Sequence, residues 1–165
     1  MNEQLQDLIE ALREELKQYG EMLALLDHQQ ELVMHRQTTD LLQSVAAINA
    51  QAETLQAVRL EREQRRRRLT RALGLDESVS LTDLTPRLEA DYRPLVEALV
   101  QENNELLTRI QKRARQNHLL LSRAVELMQR FIESILPGAG PATYTDGGRV
   151  LAGALPKRAL YDAVG

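Results

Sequence analysis

From Met1 to Leu73 the chain contains no proline and one glycine, Gly20, while its apolar residues return every seven positions. In residues 1–36 they form two interlocked series, Ile9, Leu16, Leu23 and Leu5, Leu12, Tyr19, Leu26, Val33. The second series lies three residues after the first, which is the seam of a coiled coil sustained for about four heptads. A helix of that length spans roughly 50 Å. Composition points the same way. Aromatic residues make up 3% of the 165 positions, so the apolar content is almost all Leu, Ala, Val and Ile. With Glu, Gln and Arg as polar partners, such a chain is built of helix formers and excludes a β-sandwich or barrel.

Thr38, Thr39 and Asp40 interrupt the first seam and offer N-cap oxygens to a second helix. Its stripe runs Leu41, Val45, Ile48, Ala52, Leu55, meets Arg59, Arg62 and Arg66, and resumes at Leu69 and Leu73 before Gly74, a natural C-cap. The short connection predicts an antiparallel hairpin. Charge is segregated along it: residues 1–36 hold eight acids and three bases, and residues 59–71 hold seven arginines and two glutamates. The hairpin sets those arginines beside Glu3, Asp7, Glu10, Glu14 and Glu15, so the basic run is neutralised internally. The other reading of RLEREQRRRRL is a nucleic-acid footprint, but no aromatic residue interleaves the arginines to stack on bases.

Residues 75–94 read as a connector with a short helix at about 81–91. Ser80 and Asp83 form a variant capping box, Thr85-Pro86 restarts a helix as N-cap and N1, and Pro94 predicts a kink or second start near Tyr92. A third long helix follows over about 95–136. It carries three apolar series: Leu99, Leu106, Leu120, Leu127; Val100, Leu107, Ala114, Leu121, Met128, Ile135; and Val96, Ile110, Ala124, Phe131. A face this wide contacts two helices, or one helix and a partner. Asn103 and Asn117 share the register of the last series, where a polar residue either fixes helix alignment or hydrogen-bonds a bound peptide. From Pro137 onward the 29 remaining residues hold six of the eight glycines and three of the five prolines, the composition of a flexible tail. The expected fold is all-α: an elongated antiparallel hairpin plus a third long helix in a bundle over 1–136, then a tail over 137–165.

Zero cysteines exclude disulfides, thiol nucleophiles and Cys-ligated metals, and His28, His35 and His118 are placed without further ligands fixed beside them. No phosphate-binding glycine loop or nucleophile elbow is present. The chain is expected to be no enzyme and to need no cofactor or metal. Its N-terminus, MNEQLQDLIE, has acids where a secretory signal has bases, and no apolar run approaches the roughly 20 residues of a membrane span. The expected location is the cytoplasm, without membrane insertion.

Two long helices, a connector ending in proline, a third helix containing ALVQENNELLTRIQKR and LLLSRAVELMQRFIESIL, and a tail with TYTDGGR follow one another in an order that resembles the FlgN family of flagellar type III export chaperones. The resemblance covers essentially residues 1–150. It implies a cytoplasmic, non-enzymatic protein that binds the C-terminal helical region of hook-associated (hook-filament junction) proteins, prevents their premature assembly and delivers them to the export gate. The substrate surface it implies falls on Leu120, Leu121, Leu127, Met128, Phe131 and Ile135. Tyr144 in TYTDGGR is the closest match to a tail tyrosine associated with gate docking, and Tyr161 in LYDAVG echoes the same short pattern. The rival from another class is a structural or scaffolding coiled coil whose seams are consumed by self-association into a stable parallel oligomer, whereas a monomer or weak homo-oligomer favours the chaperone.

Overall fold

The computed structural model describes residues 2–136. Their elements are α1 (Asn2–Met34), α2 (Thr38–Ala72), α3 (Leu81–Leu84), a 3₁₀ turn (Thr85–Arg87) and α4 (Arg93–Ile135), with no strand among them. The architecture is all-α, as the heptad series predict. The central element is α1, on which both α2 and α4 pack. α2 returns antiparallel to it, and the connector carries the chain back so that α4 starts beside the N-terminal half of α1 and runs parallel with it.

Several boundaries differ from the sequence reading, each for a local reason. α2 begins two residues after a left-handed residue: Arg36 sits at φ 54° and the Gln37 N–H reaches the Leu32 carbonyl at 3.1 Å, closing α1 with a Schellman bond. Gln37 then stands at the N-cap of α2 without a side-chain cap, so Thr38, Thr39 and Asp40 lie inside the first turn. Gly74 does occupy the left-handed position after α2, at φ 68°, with the Leu75 N–H bonded to the Thr70 carbonyl. Ser80 caps α3 by accepting from the Asp83 N–H. The connector helix is shorter than 81–91, because the Thr85 hydroxyl donates back to the Leu81 carbonyl instead of capping a new helix, and Leu88 is already extended. α4 starts at Arg93 with Pro94 in its first turn, where a missing N–H costs nothing, so Pro94 opens the helix and does not kink it.

The core is divided along the axis. One apolar cluster joins Leu5, Leu8, Ile9 and Leu12 of α1 to Leu69 of α2, Val96 and Leu99 of α4, and the connector's Leu84 and Leu88. A second joins Tyr19, Met22, Leu23 and Leu26 to Ile48, Ala52 and Leu55 of α2 and to Ile110 of α4. Between them lies a polar layer. Glu15, 3% exposed, accepts from Arg62 Nε at 3.0 Å and from the Tyr19 hydroxyl at 2.9 Å. Burial and the neighbouring carboxylate of Glu15 push the Tyr19 phenol well above its ordinary value. At the far end of the bundle a second polar layer of Gln29, Ser44 and Asn117 is also buried.

Asn103 and Asn117 tie α4 to α1. Nδ2 of Asn103 donates to the Leu12 carbonyl at 3.1 Å, and Nδ2 of Asn117 donates to the Leu26 carbonyl at 2.8 Å. Both bonds span 91 residues, so one offset holds over two heptads and the two helices are parallel and in register. Of the two readings of these asparagines, alignment of the helices is the one their geometry matches. Carried on to Met34, the last residue of α1, the same offset falls at Val125. Beyond it α4 continues past the end of α1 for about 10 residues, or roughly 15 Å.

This arrangement separates core leucines from the overhanging end of α4. Leu26→Ala, in the second cluster at 1% exposure, should destabilise the chain by about 2–5 kcal/mol, whereas Met128→Ala should change stability by less than about 0.5 kcal/mol in chemical denaturation. Equal losses would mean that the end of α4 is packed in the folded chain.

Candidate functional site

The six candidate surface residues all lie on the last third of α4, and the structure leaves their face largely open. Leu127, Met128, Phe131 and Ile135 are 60%, 61%, 63% and 57% exposed, Leu120 is exposed at its margin, and Leu121 is half-buried. The reason is the overhang. Asn117 and Gln29 hydrogen-bond at 3.1 Å in the last buried polar layer, and beyond about Val125 α4 outruns α1, the helix that covers its apolar face below. Sequence reading in three series missed part of it: Val125 and Ile132 belong to a fourth series and are 54% and 43% exposed. Their signal in the sequence is two apolar residues seven apart, in a series that is polar earlier in the helix, at Glu97, Asn104, Gln111 and His118. Tyr144 and Tyr161 lie outside the described residues, as does the whole 137–165 segment.

The arginine run, the other candidate surface, is largely engaged within the chain. Arg62 pairs with Glu15 of α1, and Arg65 pairs with Glu61 at 2.7 Å while donating to the Asp7 carbonyl. Arg66, buried at 6% exposure, grips Glu63 at 2.5 Å and also donates to the connector carbonyls of Glu77 and Val79. Arg67 shares Glu63, and Arg71 reaches Glu77. Neutralisation is therefore internal, as expected, but its partners differ from the expected set. Four of these arginines take carboxylates of α2 itself and of the connector, and Arg62 takes Glu15 of α1. Arg66 thereby fastens the connector to α2. The Glu63 carboxyl is held down to about 2, first by its hydrogen bond from Arg66, with Arg67 and Arg62 adding to the effect and burial opposing it.

Elsewhere, an open groove of about 840 Å³ runs between the connector and α4, lined by Thr85, Pro86, Val100, Asn104 and Arg109 among others, and no histidine enters it. Among the described residues no three His, Asp or Glu side chains gather to hold a metal ion, and no helix is long and apolar enough to cross a membrane.

The family described as "FlgN protein" matches this sequence over residues 1–151. No curated protein and no solved structure matches it significantly.

The Glu63 contacts carry a pH dependence of definite sign. A carboxyl lowered on folding stabilises the chain fully above its ordinary value of 4.5, and that contribution is lost as the pH falls toward about 2. Glu63→Gln should lower stability at pH 7 by about 1 kcal/mol, or ~3 °C in melting temperature, with the gap to the parent chain closing as the pH is taken down through that window. A gap that stays constant across the titration would remove the charge from the explanation.

Proposed function

The chain belongs to the FlgN family of flagellar export chaperones, and from that premise we propose that it acts in the cytoplasm on hook-associated (hook-filament junction) proteins. In this reading it binds their C-terminal helical region, keeps them from assembling early and hands them to the export gate. The observation that carries the proposal is the overhanging end of α4. Leu120, Leu127, Met128 and Phe131 form an apolar face that the helices among the described residues leave exposed, while the bundle beneath is closed by buried layers. An amphipathic helix of a client covers such a face by the same heptad contacts that α1 makes lower down. The long, flexible side chain of Met128 and the aliphatic residues around it repack for related clients of unequal shape. Holding of this kind uses burial alone and needs neither a cofactor nor a reaction step.

Tyr144 is assigned to gate docking and not to client binding, which separates the two activities by position along the chain. The scaffold alternative draws on the same open face, since a second copy of the chain also presents apolar heptads. Sedimentation of the isolated chain distinguishes them: a monomer or weak dimer agrees with the chaperone reading, and a tight oligomer that buries the end of α4 agrees with the scaffold.

Binding of a C-terminal fragment of a hook-associated protein, measured by calorimetry, tests the proposal. Leu127→Asp and Phe131→Asp should each weaken binding about tenfold or more, because a carboxylate must then be desolvated in an apolar contact. Tyr144→Ala should leave that affinity within about twofold while reducing export in cells. Unchanged affinity in both aspartate variants would overturn the assignment of the surface.

A further inference from the structure

Beyond Asn117, charge beside the apolar face of α4 lies along one of its two edges. Where α1 still covers that face, Arg113 pairs across it with Asp27 of α1 at 2.6 Å and also donates to the Gln30 side chain. Arg113 belongs to the series of Leu106, Leu120 and Leu127, and the next series outward on that side holds Arg123 and Arg130. The same edge is therefore basic both beneath the end of α1 and past it. Arg123 stands close to the level of Met34, where α1 stops, and Arg130 lies about two turns further on. Both are exposed, and neither forms an ion pair among the described residues. The opposite edge, outside Val125 and Ile132, carries Ser122 and Gln129 and no charge, while Glu126 and Glu133 lie on the back of the helix.

An occupant of this end must set something opposite those two guanidiniums. A second copy of the chain cannot enter parallel, because its own α4 would run into the place that α1 already holds. Entering antiparallel about a two-fold axis, it sets each edge against the same edge of the other copy, so the arginines at 123 and 130 of the two copies meet one another. Residues 137–165 bring Arg149, Lys157 and Arg158 against Asp146 and Asp162, and contain no two heptads free of glycine and proline. Neither complements the edge. The helix that does so lower down is α1, which offers apolar heptads and an acid on the flank, as Asp27 is to Arg113. We infer that the uncovered end of α4 takes one amphipathic helix of the client, in line with α1, and that this helix carries acidic side chains about seven residues apart along the edge facing Arg123 and Arg130. This rests on the reading of that end as the client surface, and adds that the client helix is selected by charge as well as by apolar fit. One charged edge and one uncharged edge also fix how that helix is rotated on the face.

Calorimetry of the full chain with a C-terminal fragment of a hook-associated protein provides the test. Arg123→Glu/Arg130→Glu reverses the edge and Leu127→Asp spoils the apolar face. Melting curves of the free variants should superimpose on the parent's, since these side chains are exposed. The double reversal should weaken binding by about tenfold or more. Raising the salt from about 50 to about 500 mM should weaken the parent several-fold and leave the reversed chain unchanged or tighter, and a parent insensitive to salt would overturn the acidic edge. If Leu127→Asp weakens binding and the double reversal stays within about twofold of the parent, the acidic edge is wrong while the client surface stands. If neither variant weakens it, the client surface itself fails and the acidic edge falls with it. A stable dimer of the free parent chain that Leu127→Asp disperses would assign the end of α4 to a second copy and would equally overturn the client helix.

Discussion

Two carboxamides set the geometry on which the rest of this molecule depends. Asn103 and Asn117 each place an N–H on a backbone carbonyl of α1, at Leu12 and Leu26, with the same offset of 91 residues. An apolar seam of leucines tolerates a slip of one heptad with little change in contacts, whereas a buried amide donor left without its carbonyl costs about 1–3 kcal/mol. The asparagines therefore choose one alignment among several of similar apolar burial. That choice fixes how far α4 projects, and so which residues are core and which are open. Their Oδ1 atoms have no hydrogen-bond partner among the described residues.

The alternation of layers follows from the same economy. A bundle of three slender helices with few aromatic side chains divides its burial between two clusters, and the Glu15, Tyr19 and Arg62 layer between them is satisfied by its own hydrogen bonds. Removing one member of such a layer leaves an uncompensated buried charge, so it contributes to specificity more surely than to net stability. The arginine-rich end of α2 belongs to this internal system. Arg66 holds connector carbonyls as well as Glu63, and the connector in turn places Leu84 and Leu88 under the N-terminal cluster and starts α4 in the right position.

Much of this was legible in the sequence because it depends on local periodicity. The series through Leu5, Leu12, Tyr19 and Leu26 became the buried face of α1, Gly74 became the left-handed stop after α2, and Ser80 became the cap of α3. What escaped depends on chain geometry that spacing does not encode. Arg36 adopts a left-handed conformation where glycine is the usual choice, which displaced the cap expected at Thr38. Arg66 found its carboxylate partner on α2 itself and its carbonyl partners on the connector, and not on α1. At the candidate surface, the residues from Leu120 to Ile135 were readable as an apolar stripe, but their exposure was not, since it follows from where α1 stops relative to α4. Val125 and Ile132 were passed over because their series is polar over most of the helix and becomes apolar only in its last part.

The central claim is that one continuous helix is core over its first two-thirds and uncovered over its last third. Amide hydrogen exchange of the isolated chain, resolved by residue, addresses it directly. Amides from Leu99 to Asn117 should exchange only through global or near-global opening, while those from about Leu127 to Ile135 should exchange orders of magnitude faster, as a helix end without tertiary cover does. Uniform protection along the whole of α4 would contradict the account, since it would mean that the apolar end is already buried before any partner arrives.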